Sequence, residues 1–182
     1  MNNIIAFIFA RGGSKGILKK NIIDFNGVPL IAKAIKAALE SKFIDEVFIS
    51  TDSIEIADVA KKYGAKVPFL RPSELASDSS TELDSWKHAL IEMRKLKKKC
   101  DVFVSIPTTS PLRSSTDIDN CIEMYLNNSD KIDGVVSVCE PHRNPDFNIM
   151  KKTALGGVEL YNGLPCITSR QEATETMDLC TV

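Results

Sequence analysis

A chain of 182 residues, 43% hydrophobic and 26% charged with a net charge of −1, is sized for one globular domain or one domain with a small addition. That balance excludes a global field favouring nucleic acid or an anionic membrane, and no apolar run reaches the ~18 residues a membrane span requires. Five scattered cysteines without a C-x-x-C pair, and only two histidines, exclude a disulfide framework and a His-rich metal centre and point to reduced thiols in a cytoplasm.

Ile4–Ala10 is a continuous apolar run that reads as a strand buried on both faces. No basic residue precedes it, which argues against a signal peptide. It passes directly into Ala10–Asn21, "ARGGSKGILKKN". Pro29 then stands where a first helical turn tolerates it, ahead of a stripe of Ile31, Ile35, Ala38 and Leu39. Val47–Thr51 is the second strand, with Asp52 at its end as a hydrogen-bonder or a cap. Ile56, Val59, Ala60 and Tyr63 make the second helical stripe, closed by Gly64. Lys66–Leu70 reads as the third strand.

Thr81 and Asp84 have capping-box spacing before Leu83, Trp86, Leu90, Met93 and Leu96, so the acidic "TELD" at Thr81–Asp84 is a helix start rather than a metal motif. His88 falls off that stripe and is expected at the surface; Lys95, Lys97, Lys98 and Lys99 suit a solvated helix end. Val102–Ile106 is the fourth strand. Ile118, Cys121, Ile122, Tyr125 and Leu126 form the fourth helical stripe, capped at Ser115 or Thr116. Gly134–Cys139 is the fifth strand, with Cys139 in the core. From Pro141 the alternation gives way to irregular, partly extended chain.

Strand–helix alternation predicts an α/β fold: a Rossmann-like, mostly parallel sheet with helices on both faces, formed by residues 1–140 and followed by a separate segment, 141–182. Ligands of such sheets sit beyond the C-terminal strand ends. That rule gathers the loop after strand one, Thr51-Asp52, Arg71 and Thr108–Arg113 around one crevice. The loop is neither a Walker A motif nor G-x-G-x-x-G, its glycines falling at 12, 13 and 16. Gly12, Gly13 and Gly16 permit positive φ and an anion nest of N–H groups. Arg11, Lys15, Lys19 and Lys20 add four cations with no carboxylate within the loop. Together they predict a phosphate site without naming the nucleotide.

Four ordered motifs carry a resemblance: A-R-x-x-S-K-G-x-x-x-K-N at Ala10–Asn21, "ISTDSIEIADVAKKYGA" at Ile49–Ala65, "RPSELASD" at Arg71–Asp78 and "TSPLR" at Thr109–Arg113. The chain resembles the acylneuraminate cytidylyltransferases, the CMP-sialic acid synthetases and their bacterial relatives, from about Ile4 to Glu140 and more weakly to Gln171. The implied fold is that of nucleotide-diphospho-sugar transferases. The implied reaction joins CTP to a nine-carbon 2-keto sugar acid, giving the CMP-sugar and pyrophosphate, with magnesium bridging the phosphates. By position, Arg11, Lys20 and Asn21 would serve catalysis. Arg11, Gly12, Gly13, Ser14, Lys15, Lys20, Arg71 and Thr109 would bind nucleotide, and His142, Arg170 and Gln171 would meet the sugar. A homodimer, active in surface glycan synthesis, is also implied, with 141–182 as part of the sugar and dimer region.

Three departures stand out. Pro107-Thr108 replace a Gln-Pro in which the glutamine reads the base, leaving a sugar nucleotidyltransferase for another base open. "PHRNPDF" at Pro141–Phe147 and "RQEATETMD" at Arg170–Asp178, with Thr174 and Asp178 at later motif places, resemble the legionaminate- or pseudaminate-type branch. The family's D-x-D metal pair near the C-terminus has no counterpart before Val182, so no metal ligand is assigned and an inactive binding or dimerisation remnant stays an alternative. Arg113, beside Pro111, is expected either to bond turn carbonyls or to contact substrate.

Overall fold

A computed structural model describes residues 2–14, 16–77, 79–163 and 169–179. They form two compact units, one running to Val135 and the other from Val136 onward.

The first unit is an α/β layer structure around three parallel strands: β1 (Ile4–Phe9), two short strands β2 (Asp24–Phe25) and β3 (Val28–Pro29) outside that sheet, β4 (Glu46–Ser50) and β5 (Val102–Ser105). The sheet order is β4-β1-β5, with Ala6 opposite Val47 on one side and Val104 on the other. Because successive side chains of a strand point to opposite faces, β1 feeds two cores. Ile4, Ala6 and Ile8 pack with Ile31 and Ile35 of α1 (Leu30–Leu39), Ile56 and Ala60 of α2 (Ile54–Lys62) and Ile118 and Ile122 of α4 (Ser115–Asn128). Ile5 and Phe7 pack on the other face with Phe48 and with Ala89 and Met93 of α3 (Glu82–Lys95). Phe7 stacks on Phe103 at 4.9 Å between ring centroids and on Phe48 at 5.8 Å. Each fully buried side chain of this kind contributes about 1.5–3 kcal/mol, so the end of β1 is held by the best-packed part of the unit.

Two expected strands fail to join this sheet. Lys66–Leu70 keeps only one parallel bridge, Lys66 to Phe48. Pro68 has no N–H to continue the ladder, and Leu70 is 48% exposed. Gly134–Cys139 yields only β6 (Val138–Cys139), which pairs antiparallel with β9 (Asp178–Leu179) in the second unit. A short apolar run cannot by itself choose between a buried parallel strand and an exposed pairing, and Cys139 is exposed rather than core.

The helix caps show the sequence chemistry directly. Thr81 accepts the Asp84 N–H at the start of α3. At α4 the cap is Ser114, not Ser115 or Thr116, in a reciprocal capping box with Asp117. Gly64 takes φ +92° just past α2. Pro29 is the residue before α1 rather than its first. Leu39, Leu83 and Leu96 of the expected stripes are exposed. His88 is the reverse case: its side chain is only 15% exposed and its ring meets Phe69 edge-on at 5.5 Å. Burial pulls its pKa below the usual histidine value. The Asn26-Gly27 hairpin between β2 and β3, with φ of 57° and 87°, is an unused Asn-Gly signal.

The second unit is built from hairpin-like pairs, β6 with β9 and β7 (Met150–Lys152) with β8 (Val158–Leu160). No helix among the described residues is long and apolar enough to cross a membrane.

Candidate active site

The strand ends open into a cavity of about 660 Å³. Phe9 closes β1 at its wall, Arg11, Ser14, Lys20 and Asn21 come from the following loop, and Pro107, Thr108 and Thr109 follow β5. Arg71 and Ser85 complete the wall from the other side. Three cations, Arg11, Lys20 and Arg71, thus face one described lining carboxylate, Glu82. The expected crevice beyond the strand ends exists, and it holds Arg11, Ser14, Lys20, Asn21, Arg71 and Thr109. Lys15 lies outside the described residues.

Within the loop the glycines act differently from the expectation. None of Gly12, Gly13 and Gly16 takes a positive φ; Lys19 does, at 51°. The Gly12 N–H donates to Asp52 Oδ1 at 2.9 Å, and the Ser14 N–H donates to the Gly12 carbonyl at 3.1 Å. Both amides therefore serve the loop's own fold rather than forming an open anion nest. Glycine at 12 also keeps a close approach open, since a Cβ there would stand 3.1 Å from Ser53 Cβ and one of the two would have to give by a few tenths of an ångström. Lys19 also leaves the cradle, because its Nζ pairs with Glu55 of α2 at 2.8 Å.

Arg71 is the most buried of the cations, 6% exposed. Its backbone N–H donates to the Thr51 carbonyl at 2.8 Å and its Nη1 to Ser85 Oγ at 3.0 Å. Burial lowers its pKa, opposed by Asp52 and reinforced by Arg11. Its Nε is buried without a hydrogen-bond partner. A buried donor left unmet costs free energy, so this side chain is held in place at some expense.

Asn21 is 5% exposed and bridges two segments. Its Nδ2 donates to the Arg11 carbonyl at 2.9 Å, and its Oδ1 accepts the Thr108 hydroxyl at 2.7 Å. Arg113 does what a Pro-turn arginine does, donating from Nη1 to the Pro107 carbonyl at 3.1 Å. Ser85 was not singled out by sequence as a site residue, whereas Thr108 was placed at the crevice as the first residue of Thr108–Arg113 without a role of its own. The signal for Ser85 was present: it shares the spacing of Ala89 and Met93, a polar residue in a buried stripe. For Thr108 the strand-end rule supplied the place but not the partner.

His142, Arg170 and Gln171 belong to the second unit. His142 and Gln171 are exposed there, and Arg170 opens a short 3-10 turn, Arg170–Glu172. Among the described residues no three His, Cys, Asp or Glu side chains stand together as a metal site. The described residues therefore offer no protein cage for magnesium.

A family model described as Cytidylyltransferase matches residues 5–173. Over 180 residues the chain is 38% identical to the Post-translational flagellin modification protein B of Campylobacter coli, covering 98% of this chain and 75% of that protein. Over 168 residues it is 36% identical to the CMP-N,N'-diacetyllegionaminic acid synthase of Legionella pneumophila, covering 87% and 70%. Over 127 residues it is 39% identical to a pseudaminic acid cytidylyltransferase of Campylobacter jejuni, covering 70% of this chain and 55% of that protein. The chain thus spans between 55% and 75% of the length of these curated relatives. A solved CMP:2-keto-3-deoxy-manno-octonic acid synthetase complexed with CTP aligns at a TM-score of 0.59 and 20% identity, over 71% of this chain and 49% of that one. That likeness shows the fold.

Proposed function

The chain belongs to the cytidylyltransferase family, and we propose that it transfers the CMP group of CTP to a nine-carbon 2-keto sugar acid of the legionaminate or pseudaminate kind. The observation that carries this reading is the cavity with Arg11, Lys20 and Arg71 against a single described carboxylate. A triphosphate is the ligand such a charge balance suits.

In this reaction the anomeric oxygen of the sugar attacks the α-phosphorus of CTP. The bond from that phosphorus to its bridging oxygen breaks, pyrophosphate leaves with the electron pair, and the anomeric hydroxyl gives up its proton. Such a transfer needs alignment and neutralised charge more than covalent help. Arg11 and Lys20 take the triphosphate and its developing charge, and Ser14 and Thr109 offer polar contacts. Arg71, which lines the cavity, takes a further acceptor of the nucleotide. Gly12 contributes room rather than a phosphate donor, its N–H being held by Asp52. Magnesium would arrive complexed to the triphosphate. The segment carrying His142, Arg170 and Gln171 would receive the sugar acid, in a cytoplasmic homodimer.

The test is a calorimetric titration with CTP, UTP, GTP and ATP, followed by an assay of CMP-sugar formation with legionaminate, pseudaminate and N-acetylneuraminate. CTP is expected to bind best. Equal or absent binding of all four would overturn the reading. A preference for another nucleotide would favour a second reading, motivated by Pro107-Thr108 in place of the base-reading Gln-Pro, in which the same sheet serves a different base.

A further inference from the structure

The Arg11–Gly12 peptide is gripped on both sides by side chains from other segments. Its carbonyl accepts Asn21 Nδ2 at 2.9 Å, and its N–H donates to Asp52 Oδ1 at 2.9 Å. Asn21 is itself held by Thr108, whose hydroxyl donates to Oδ1 at 2.7 Å. Asn21 and Thr108 are 5% and 4% exposed, so water has little access to replace either bond. The three side chains tie the loop after β1 to the ends of β4 and β5.

The bonds run in one direction, from the Thr108 hydroxyl through the Asn21 carboxamide to the Arg11 carbonyl. A carboxamide has one donor end and one acceptor end of nearly the same shape. With the Thr108 hydroxyl on Oδ1, the other end is left to donate to Arg11. Remove the hydroxyl, and Oδ1 becomes a buried acceptor without a donor. The carboxamide then gains by turning away, and the Arg11 carbonyl loses its partner. Residues 10–14 lie in no helix or strand, so this peptide plane sets where the Arg11 side chain starts.

We infer that Thr108 is a positioning residue: acting through Asn21, it orients the Arg11–Gly12 peptide and hence the approach of Arg11 to the reacting phosphates. The inference rests on the proposed nucleotidyl transfer. A cation displaced by a fraction of an ångström still attracts a flexible triphosphate but no longer matches the charge that develops at transfer. The effect therefore falls on kcat and spares KM.

The experiment compares Thr108→Val, which keeps the shape and loses the hydroxyl, with Thr108→Ser, which keeps the hydroxyl. Expected are a kcat for Thr108→Val lower by about 10- to 100-fold, a KM for CTP changed less than about threefold, and recovery to within about threefold in Thr108→Ser. Thr108→Ala replaces the valine variant if that one does not fold. Alongside, the Asn21 side-chain NH2 resonances are followed by NMR in the protein without nucleotide. The hydrogen-bonded Nδ2 proton should be shifted and slow to exchange in the parent chain and Thr108→Ser, and lose both properties in Thr108→Val. Unchanged kcat in Thr108→Val, equal losses in both variants, or an unaltered Asn21 amide would each overturn the inference. If the parent chain neither binds nor turns over CTP, it is the nucleotide reading that fails, and the NMR comparison still decides whether Thr108 holds Asn21.

Discussion

In β1 the five residues from Ile4 to Ile8 are buried, whereas every residue of β7 is exposed and β8 has only Leu160 partly covered. The two regions show two ways of placing side chains. β1 is flanked by parallel neighbours on both edges and by helices on both faces, so moving its end would disturb two cores at once. Arg11 follows it by two residues. The β7–β8 pair rests on its own ladder and on one exposed ion pair, Lys151 to Glu159 at 3.3 Å. Such a pair is worth at most about 1 kcal/mol, and a lone two-stranded hairpin is marginal in water. Val138, Met150, Leu155, Val158 and Leu179 stay exposed in this unit. The charge cradle is thus set by core packing, while the segment with His142 and Gln171 is held by strand pairs and hydrogen bonds with little buried apolar surface.

Four substitutions sharpen or break that contrast. Arg11→Ala should have the largest effect, lowering kcat/KM for CTP by about 10²- to 10³-fold, as loss of a donor to developing charge does elsewhere; a loss under about tenfold would remove Arg11 from the reaction. Ile35→Ala, in the core that supports β1, should cost about 2–5 kcal/mol of unfolding free energy in a urea titration. Ser114→Ala removes the side-chain half of a reciprocal cap and should cost about 1 kcal/mol in the same titration. Val158→Thr, on exposed β8, should stay within about 0.5 kcal/mol of the parent chain. If Val158→Thr cost as much as Ile35→Ala, the two units would not differ as described.

Much of this molecule follows from residue order alone. The run Ile4–Ala10 reads as a buried strand because it is continuously apolar and passes straight into a turn-rich basic loop. The helices announced themselves through period and cap: Thr81 with Asp84, Gly64 after Lys62, Ile31 with Ile35. Placement of Arg11, Lys20 and Arg71 around one cavity followed from a topological rule about strand ends, with no need of contacts. The cationic character of the cavity was legible for the same reason.

Partners were not legible. Sequence shows that Lys19 is a cation within a basic loop; only folding brings Glu55 against it. Gly12 reads as a flexible phosphate donor until Asp52, 40 positions later, takes its N–H and Ser53 crowds its Cα. The Thr108–Asn21 bond joins residues 87 positions apart, and the local sequence of neither names the other as its partner. Local order carries periodicity, caps and charge because these depend on neighbours along the chain. Which donor meets which acceptor depends on how the sheet brings the ends of β1, β4 and β5 side by side, and tertiary structure alone decides that.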